Sequence, residues 1–468
     1  MESLFAKSKP RLTLVAHTDD VWRAFVSLFG TQAQPTPLGE CWRRFFGLKD
    51  FGLFWRCTEA AAVFHDWGKA NESFQTAVSP ANEYKWCQTI RHEHLSGLML
   101  ACESVSDWVS ARQDVDWDIV LAAVISHHLK VSSDDHDKHP FGRTIIPGTK
   151  RVRVRVESQA FTDLLETIRQ RLDLPKDLPH IPSEWCFDGK TGPNGIDLSQ
   201  RGFARELVDD RLDKLDCELR PDRDHDARRS LMWAVRAALI CSDAVGSAMP
   251  REGLSIEDWI QRVVHELPVC SQDEVFKKVI DERIADLKTQ FINGKPKWDE
   301  TRGHNGWNEF QLRCDSLPSR ALLIAPCGSG KTLAAWRWIA AQCGEAQQDQ
   351  RLVQHAIFLY PTRGTATEGF RDYVSWAPEA EAALMHGKAE YELQDLFVNP
   401  LDDRVDPRRD KSFEVEERLF SLGFWSKRFF SATVDQFLSF MRYSYGSMVM
   451  LPVLSKSVIV IDEVHSFD

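Results

Sequence analysis

Val63-Phe64-His65-Asp66-Trp67-Gly68-Lys69 sets a histidine and an aspartate side by side, with a lysine three positions further on. Imidazole suits borderline transition metals, and a carboxylate can bridge two cations roughly 3.5–4 Å apart, the spacing that clamps the attacking and leaving oxygens of a phosphodiester. Neighbours on a helix diverge, so His65 and Asp66 would approach such a cluster from different sides. Lys69 shares the face of Asp66, where its ammonium could neutralise a phosphate oxygen. A buried, hydrogen-bonded His-Asp pair is the plain alternative, and the other histidines decide against it. His17 precedes a helical pattern through Trp22, Phe25, Leu28 and Phe29, His92 stands in Arg91-His92-Glu93-His94, and His127-His128 close the apolar run from Ile119 to Ile125. Asp243 ends the apolar stripe that starts at Ser230, where a carboxylate is expensive to bury unless it is hydrogen-bonded or holds a cation. His17, His65, Asp66, His92, His127, His128 and Asp243 thus form a set of metal-ligand types on helices. His94 lies two residues from His92 and faces elsewhere, and His136, His139, His180 and His225 sit in polar, loop-like contexts.

The elements that would position these residues change character along the chain. Apolar helical stripes dominate residues 1–250, a charged helical connector and linker follows over 251–300 with Asn293-Gly294-Lys295-Pro296, and strands alternating with helices fill 301–468. The expected fold is therefore an all-helical domain followed by a parallel α/β domain with helices on both faces of its sheet. In the α/β part, Ala321–Ile324 reads as a short buried strand that runs into Ala325-Pro326-Cys327-Gly328-Ser329-Gly330-Lys331-Thr332 and a helix. In that setting glycines let backbone N–H groups converge on phosphates, Lys331 reaches the outer phosphates and Thr332 can hold Mg²⁺. His355–Tyr360 and Ser457–Ile461 read as further strands. The second leads into Asp462-Glu463-Val464-His465, where Asp462 would hold Mg²⁺ and Glu463 would activate the hydrolytic water of the same ATP site.

Between His128 and Asp243 the sequence is irregular. From Arg151 to Val156 it alternates strictly, placing Arg151, Arg153 and Arg155 on one face of a strand. Such a stripe could follow a phosphate backbone, and a solvated edge strand protected by its charges is the plainer reading. The net charge of −11 over 468 residues excludes a surface that binds nucleic acid everywhere, so any DNA contact must be local. Eleven cysteines without a C-x-x-C pair suit free thiols in a reducing cytoplasm. No signal-peptide run and no apolar stretch of ~20 residues is present in the sequence, which places the protein in the cytoplasm and away from membranes.

Taken together, H-D-x-G-K at 65–69, R-H-E at 91–93, His127-His128, Ser242-Asp243, the phosphate loop, P-T-R-G-T-A-T-E-G at 361–369, T-V-D-Q-F-L at 433–438 and D-E-V-H at 462–465 resemble the helicase-nuclease effector of type I CRISPR interference. The resemblance implies an HD-type nuclease domain with two divalent ions (Mn, Ni, Co, Fe or Mg) that cuts single-stranded DNA. It further implies a RecA-like domain that hydrolyses ATP with Mg²⁺ for 3′ to 5′ translocation, Gln311 as an adenine-reading residue, and recruitment by the Cascade surveillance complex with its crRNA R-loop. Met385-His386-Gly387 and Thr433-Val434-Asp435-Gln436 would face DNA. By the same resemblance the catalytic residues are Asp66, Lys69 and Glu463, and ATP is held by Gln311, Gly328, Ser329, Gly330, Lys331, Thr332, Asp462 and Glu463. The sequence ends at Asp468, just past D-E-V-H, so the RecA-like domain is expected to be incomplete, with weak ATP binding at best and no DNA-stimulated turnover. The chain would be a fragment or part of a split protein whose second RecA-like domain comes from a separate chain, or its helicase half would be vestigial. Rival readings are an HD phosphohydrolase of nucleotides with a regulatory ATP-binding half, and a non-catalytic docking module.

Overall fold

The computed structural model describes residues 3–7, 11–79, 90–128, 151–190, 195–198, 208–220, 222, 225–252, 255–261, 270–326, 328–348, 353–362, 382–384, 428–440 and 455–464. The described residues up to 261 form one compact unit and those from 270 onward a second.

The first unit opens with a short antiparallel pair, β1 (Phe5–Lys7) and β2 (Leu12–Thr13). Its helices are α1 (Leu14–Phe29), α2 (Pro37–Phe45), α3 (Phe51–Phe64), α4 (Glu72–Ala77), α5 (His92–Ala101), α6 (Glu103–Val109), α7 (Trp117–Ser126), α8 (Gln159–Leu172), α9 (Asp210–Glu218), α10 (Asp226–Glu252) and α11 (Ile256–Ile260), with a 3₁₀ turn at Trp67–Ala70. The helices that matter most for the site start on side-chain caps. Thr13, Asp50 and Asp116 accept from Ala16, Leu53 and Ile119 N–H at the heads of α1, α3 and α7. Every residue of α7 from Ile119 to Ser126 is buried, and α10 is buried from Ala237 to Ser242, so these two are central helices rather than amphipathic surface ones. Helices α1, α3 and α7 pack on α10, and α11 packs on α1. The aromatic core between α1, α2 and α3 contains Phe25, Phe29, Trp42, Phe54 and Trp55.

The region expected to be irregular between His128 and Asp243 contains, beside α8 and α9, a three-stranded sheet in the order β3 (Arg151–Arg153), β4 (Glu184–Cys186), β5 (Gly195–Asp197). Val152 and Val154 are buried while Arg151 and Arg153 are exposed, as the alternation requires. The edge-strand reading holds: β3 is the outer strand of this sheet, with a single bridge beyond its end. One side of β3 pairs with β4, and the chain continuing from its other side bridges Asn71 through Val154, with Arg155 N–H donating to Ala70 C=O at 3.1 Å. Glu184 lies against both guanidinium groups, 3.4 Å from Arg151 and 3.5 Å from Arg153, so the stripe carries less net charge than the sequence suggests.

The second unit contains α12 (Gln272–Val275), a π-helical turn at Phe276–Ile280, α13 (Asp281–Thr289), the hairpin β6 (Phe291–Ile292) and β7 (Lys295–Pro296), α14 (Glu309–Arg313), α15 (Lys331–Gln348) and α16 (Val434–Phe440). Its sheet joins β8 (His355–Tyr360), β9 (Ala382–Leu384), β10 (Phe429–Thr433) and β11 (Ser457–Ile461) in the order β11-β8-β10-β9, all parallel. A cluster of Val275, Val279, Trp336, Ile339, Phe358, Phe429 and Val458 packs the sheet against α15 and the helices before it. Residues 251–300 are therefore shared: α11 belongs with the first unit, and Gln272–Thr289 with the second. One expected strand is not formed. Ala321–Ile324 makes no ladder, and Leu322 and Ile324 are 73% and 85% exposed. A strand exists only where a neighbour satisfies its backbone groups, and among the described residues no strand lies on the outer side of β11 to continue the sheet.

Candidate functional site

In the first unit, helix ends deliver the candidate ligands to one buried point. His17 lies in the first turn of α1, His65 caps the C-terminus of α3 with Asp66 following, His92 begins α5, and His127 caps the C-terminus of α7 with His128 following. Asp243 comes from the body of α10. All seven fall into two groups whose potential ligand atoms lie within 4.8 Å of one another: His17, His65, Asp66 and Asp243 in one, and Asp66, His92, His127 and His128 in the other. Asp66 belongs to both. Its Oδ2 faces His17 Nε2 at 2.9 Å and His65 Nε2 at 3.2 Å, while its Oδ1 faces His92 Nε2 at 3.1 Å and His127 Nε2 at 3.7 Å. Asp243 Oδ1 is 3.6 Å from His17 Nε2 and 3.8 Å from His65 Nε2. His128 lies tilted against His127 and edge-on to His92, with ring centroids 4.0 and 5.0 Å apart.

The chemistry of this donor set fits divalent cations. The Nε2 atoms of His17, His65, His92 and His127 are buried without a hydrogen-bond partner of suitable geometry and converge on the two oxygens of Asp66. Each such group costs about 1–3 kcal/mol if nothing satisfies it. Two of the rings are oriented for coordination by the backbone: His65 Nδ1 lies 2.8 Å from Ala62 C=O and His127 Nδ1 2.6 Å from Val124 C=O. Donation from Nδ1 fixes the tautomer that leaves Nε2 with a lone pair toward the centre.

Charges in the cluster oppose one another. Burial pushes His17 down to about 3, which keeps its imidazole neutral and able to coordinate. Burial likewise lowers His92. Burial also pulls His65 down, but the carboxylates of Asp66 and Asp243 outweigh it and the net shift is upward. Asp66 is held well below the usual carboxylate range: burial alone would raise it, and His65, Lys69, His92 and His127 together prevail. Lys69 Nζ sits 2.5 Å from Asp66 Oδ2 and is 8% exposed. His94 is buried but belongs to neither group, and His180 and His225 are exposed. His136 and His139 lie outside the described residues.

Residues without ligand chemistry hold the turn that carries Asp66, and the sequence analysis missed them. Ser96 Oγ accepts from Gly68 N–H and Ser96 C=O from Trp67 Nε1, both at 2.9 Å. A Cβ on Gly68 would lie 2.3 Å from His92 C=O and 2.7 Å from Ser96 N, so only glycine lets the 3₁₀ turn rest on the head of α5. The readable signal was the Gly68 inside H-D-W-G-K together with Ser96, four residues after His92.

In the second unit the phosphate loop bends through Gly328 and Gly330 at φ +75° and +85°, values that glycine adopts without strain, and α15 begins at Lys331 with Thr332 next. Gln311 is drawn onto this loop. Its Oε1 accepts from Asn308 N–H at 3.1 Å and its Nε2 donates to Gly330 C=O at 3.2 Å, while Asn308 Nδ2 donates to Ser329 C=O at 3.2 Å. Asp462 and Glu463 follow β11 directly, with Asp462 N–H donating to Leu359 C=O at 2.9 Å and Glu463 at φ +54°. Residues 363–369 of the P-T-R-G-T-A-T-E-G stretch and 385–387 lie outside the described residues, whereas Thr433 ends β10 and Val434–Gln436 begin α16.

The family described as "Cas3, HD domain" matches residues 5–249. A protein of Myxococcus xanthus assigned as a CRISPR-associated nuclease/helicase Cas3 is 28% identical over 410 residues, 87% of this chain and 48% of its own length. One of Methanocaldococcus jannaschii with the same assignment is 26% identical over 424 residues, 86% of this chain and 49% of its own. The chain thus spans about half the length of the curated relatives it matches. Among solved structures, T. fusca Cas3 with AMPPNP aligns over 100% of this chain and 47% of its own, at 18% identity and a TM-score of 0.42. Among the described residues no helix is long and apolar enough to cross a membrane.

Proposed function

The chain belongs to the Cas3 HD-domain family, and on that premise we propose that its helical unit is a divalent-metal-dependent nuclease that cuts single-stranded DNA in CRISPR interference. The observation that carries this reading is the Asp66 carboxylate, one oxygen turned to His17 and His65 and the other to His92 and His127. One cation would be held by His17, His65, Asp66 and Asp243, and a second by Asp66, His92, His127 and His128, with Asp66 as the bridge. Such cations, drawn from Mn, Ni, Co, Fe and Mg, supply Lewis acidity at the phosphodiester and a water of lowered pKa. The protein's own residues do the rest. Ala62 and Val124 carbonyls aim the His65 and His127 rings, the buried helix ends exclude bulk water, and Lys69 would neutralise charge that develops on a phosphate oxygen.

In the second unit, Gly328, Ser329, Gly330, Lys331 and Thr332 would cradle the phosphates of ATP, with Asp462 serving Mg²⁺, Glu463 the attacking water, and Gln311 the adenine. We extend the proposal to ATP-driven 3′ to 5′ movement of the strand and to recruitment by Cascade.

The test is a time course of single-stranded DNA cleavage by the purified chain with Mn²⁺, with and without ATP, beside hydrolysis of free nucleotides. The wild type is expected to cut DNA irrespective of ATP, and Asp66→Ala is expected to fall to background because among the described residues no other carboxylate faces both histidine pairs. Near wild-type cleavage by Asp66→Ala would falsify the bridging role. Hydrolysis of nucleotides without DNA cleavage would instead mark a nucleotide phosphohydrolase.

A further inference from the structure

We propose that Ser247, supported by Gly246, is a positioning residue that orients the Asp243 carboxylate toward His17 and His65. This rests on the metal-centre reading above and adds to it a residue that is not itself a ligand. Ser247 stands one helical turn past Asp243 in α10, and its Oγ donates to Asp243 Oδ1 at 2.9 Å, with both residues buried. That oxygen is the one facing His17 and His65.

The bond departs from what four other buried helical hydroxyls do in this unit. Thr18, Thr58, Ser126 and Ser242 each donate to the backbone carbonyl four residues earlier, at 2.9, 2.8, 2.6 and 2.8 Å. That is the default for serine and threonine inside a helix. Ser247 passes over the Asp243 carbonyl and takes the side chain instead. A carboxylate on a helix has two rotatable bonds, and a donor on Oδ1 fixes both its direction and the lone pair it turns to the histidines.

Two further contacts hold the turn that carries Ser247. Lys7 Nζ donates to Ser247 C=O at 2.8 Å, tying this turn of α10 to β1. A Cβ on Gly246 would lie 2.8 Å from Val21 N and 2.9 Å from Val21 Cα, so glycine alone lets α1 approach closely enough for His17 to meet Asp243. Backbone atoms cannot move aside as a flexible side chain can.

The experiment is calorimetric titration of the metal-stripped full chain with Mn²⁺, comparing wild type, Ser247→Ala and Ser247→Thr, beside metal-free thermal melts. Ser247→Ala is expected to weaken one of the two Mn²⁺ sites by about 10-fold or more, the range seen when outer hydrogen bonds to metal ligands are removed. The other site should be unmoved, and Ser247→Thr, which keeps the hydroxyl, should recover most of the loss. A Ser247→Ala isotherm that matches wild type overturns the inference. So does an equal weakening of both sites that tracks a fall in metal-free melting temperature, since that is the mark of a purely structural serine. Should Ser247→Ala not fold, failure of Ser247→Thr to bind like wild type despite a wild-type melt overturns it as well, and wild-type binding by Ser247→Thr supports it. A wild type that takes up no Mn²⁺ removes the metal-centre reading itself, an outcome separate from wild-type uptake with an insensitive Ser247→Ala.

Discussion

Asp66 and Glu59 are both buried acids at the C-terminal half of α3 or just beyond it, and their surroundings drive them in opposite directions. Asp66 is kept ionised by the lysine and histidines around it. Glu59 is pushed up to about 7 by burial, with Trp22 Nε1, 3.1 Å from its Oε1, pulling only partly the other way. Below the ordinary value of a glutamate, both folded and unfolded chains carry its proton and nothing is lost. As pH rises toward 7 the unfolded chain releases the proton first, so stability declines across that window and then levels off. Glu59→Gln cannot ionise and should escape the decline. At pH 8 it is expected to be more stable than wild type by about 2 kcal/mol, discounted from the full shift because solvent partly screens the carboxylate. Urea denaturation at pH 5, 6.5 and 8 checks this. A gap that stays constant with pH would show that Glu59 does not titrate in this window.

At the scale of elements, the centre depends on how closely its helices approach. Gly68 permits the HD turn to touch α5, Gly246 permits α10 to touch α1, and Gly97 permits α5 to touch α7, where a Cβ would lie 2.2 Å from Ile125 Cγ1. Each crossing joins two elements that carry candidate ligands. Gly97→Ala should therefore separate α5 from α7, at a cost of about 1–3 kcal/mol for overpacking. Because the clash is with a side chain, Ile125→Ala, which removes both Cγ1 and Cδ1, should return part of that loss in the same chain. A double-mutant cycle from thermal melts measures the coupling. Additive effects of the two substitutions would show that Ile125 is not what Gly97 makes room for.

For the whole molecule, metal and stability should be linked. The buried, unsatisfied histidine nitrogens of the centre all lie in the first unit, so a cation that binds them binds only the folded state. At a free concentration of one hundred times Kd, one such cation adds about 2.7 kcal/mol. For a unit of this size that is a rise of roughly 5 °C or more in melting temperature. Stripping with EDTA should lower the first unfolding transition and adding Mn²⁺ should restore it, followed by differential scanning calorimetry. A transition indifferent to both would leave the histidine cluster without a metal role.

Much of this was legible before any fold was known. Apolar runs that stop at His65 and at His127 announced helices that bury polar ends, because periodicity reports burial locally, whereas Asp243, expected at a helix end, lies in the body of α10, which runs on to Glu252. The strands His355–Tyr360 and Ser457–Ile461 and the glycines of the phosphate loop were readable for the same reason. Tertiary structure decided the rest. Which oxygen of Asp66 meets which histidines depends on the crossing of α1, α3, α5 and α7, and no spacing along the chain encodes it. Ala321–Ile324 has the composition of a strand but finds no ladder, since pairing belongs to two segments and not to one. The hydroxyl of Ser247 could have turned to a carbonyl like its four counterparts. Its bond to Asp243 Oδ1 lies within α10, and what the tertiary structure adds is the approach of α1 across Gly246 that brings His17 to that oxygen.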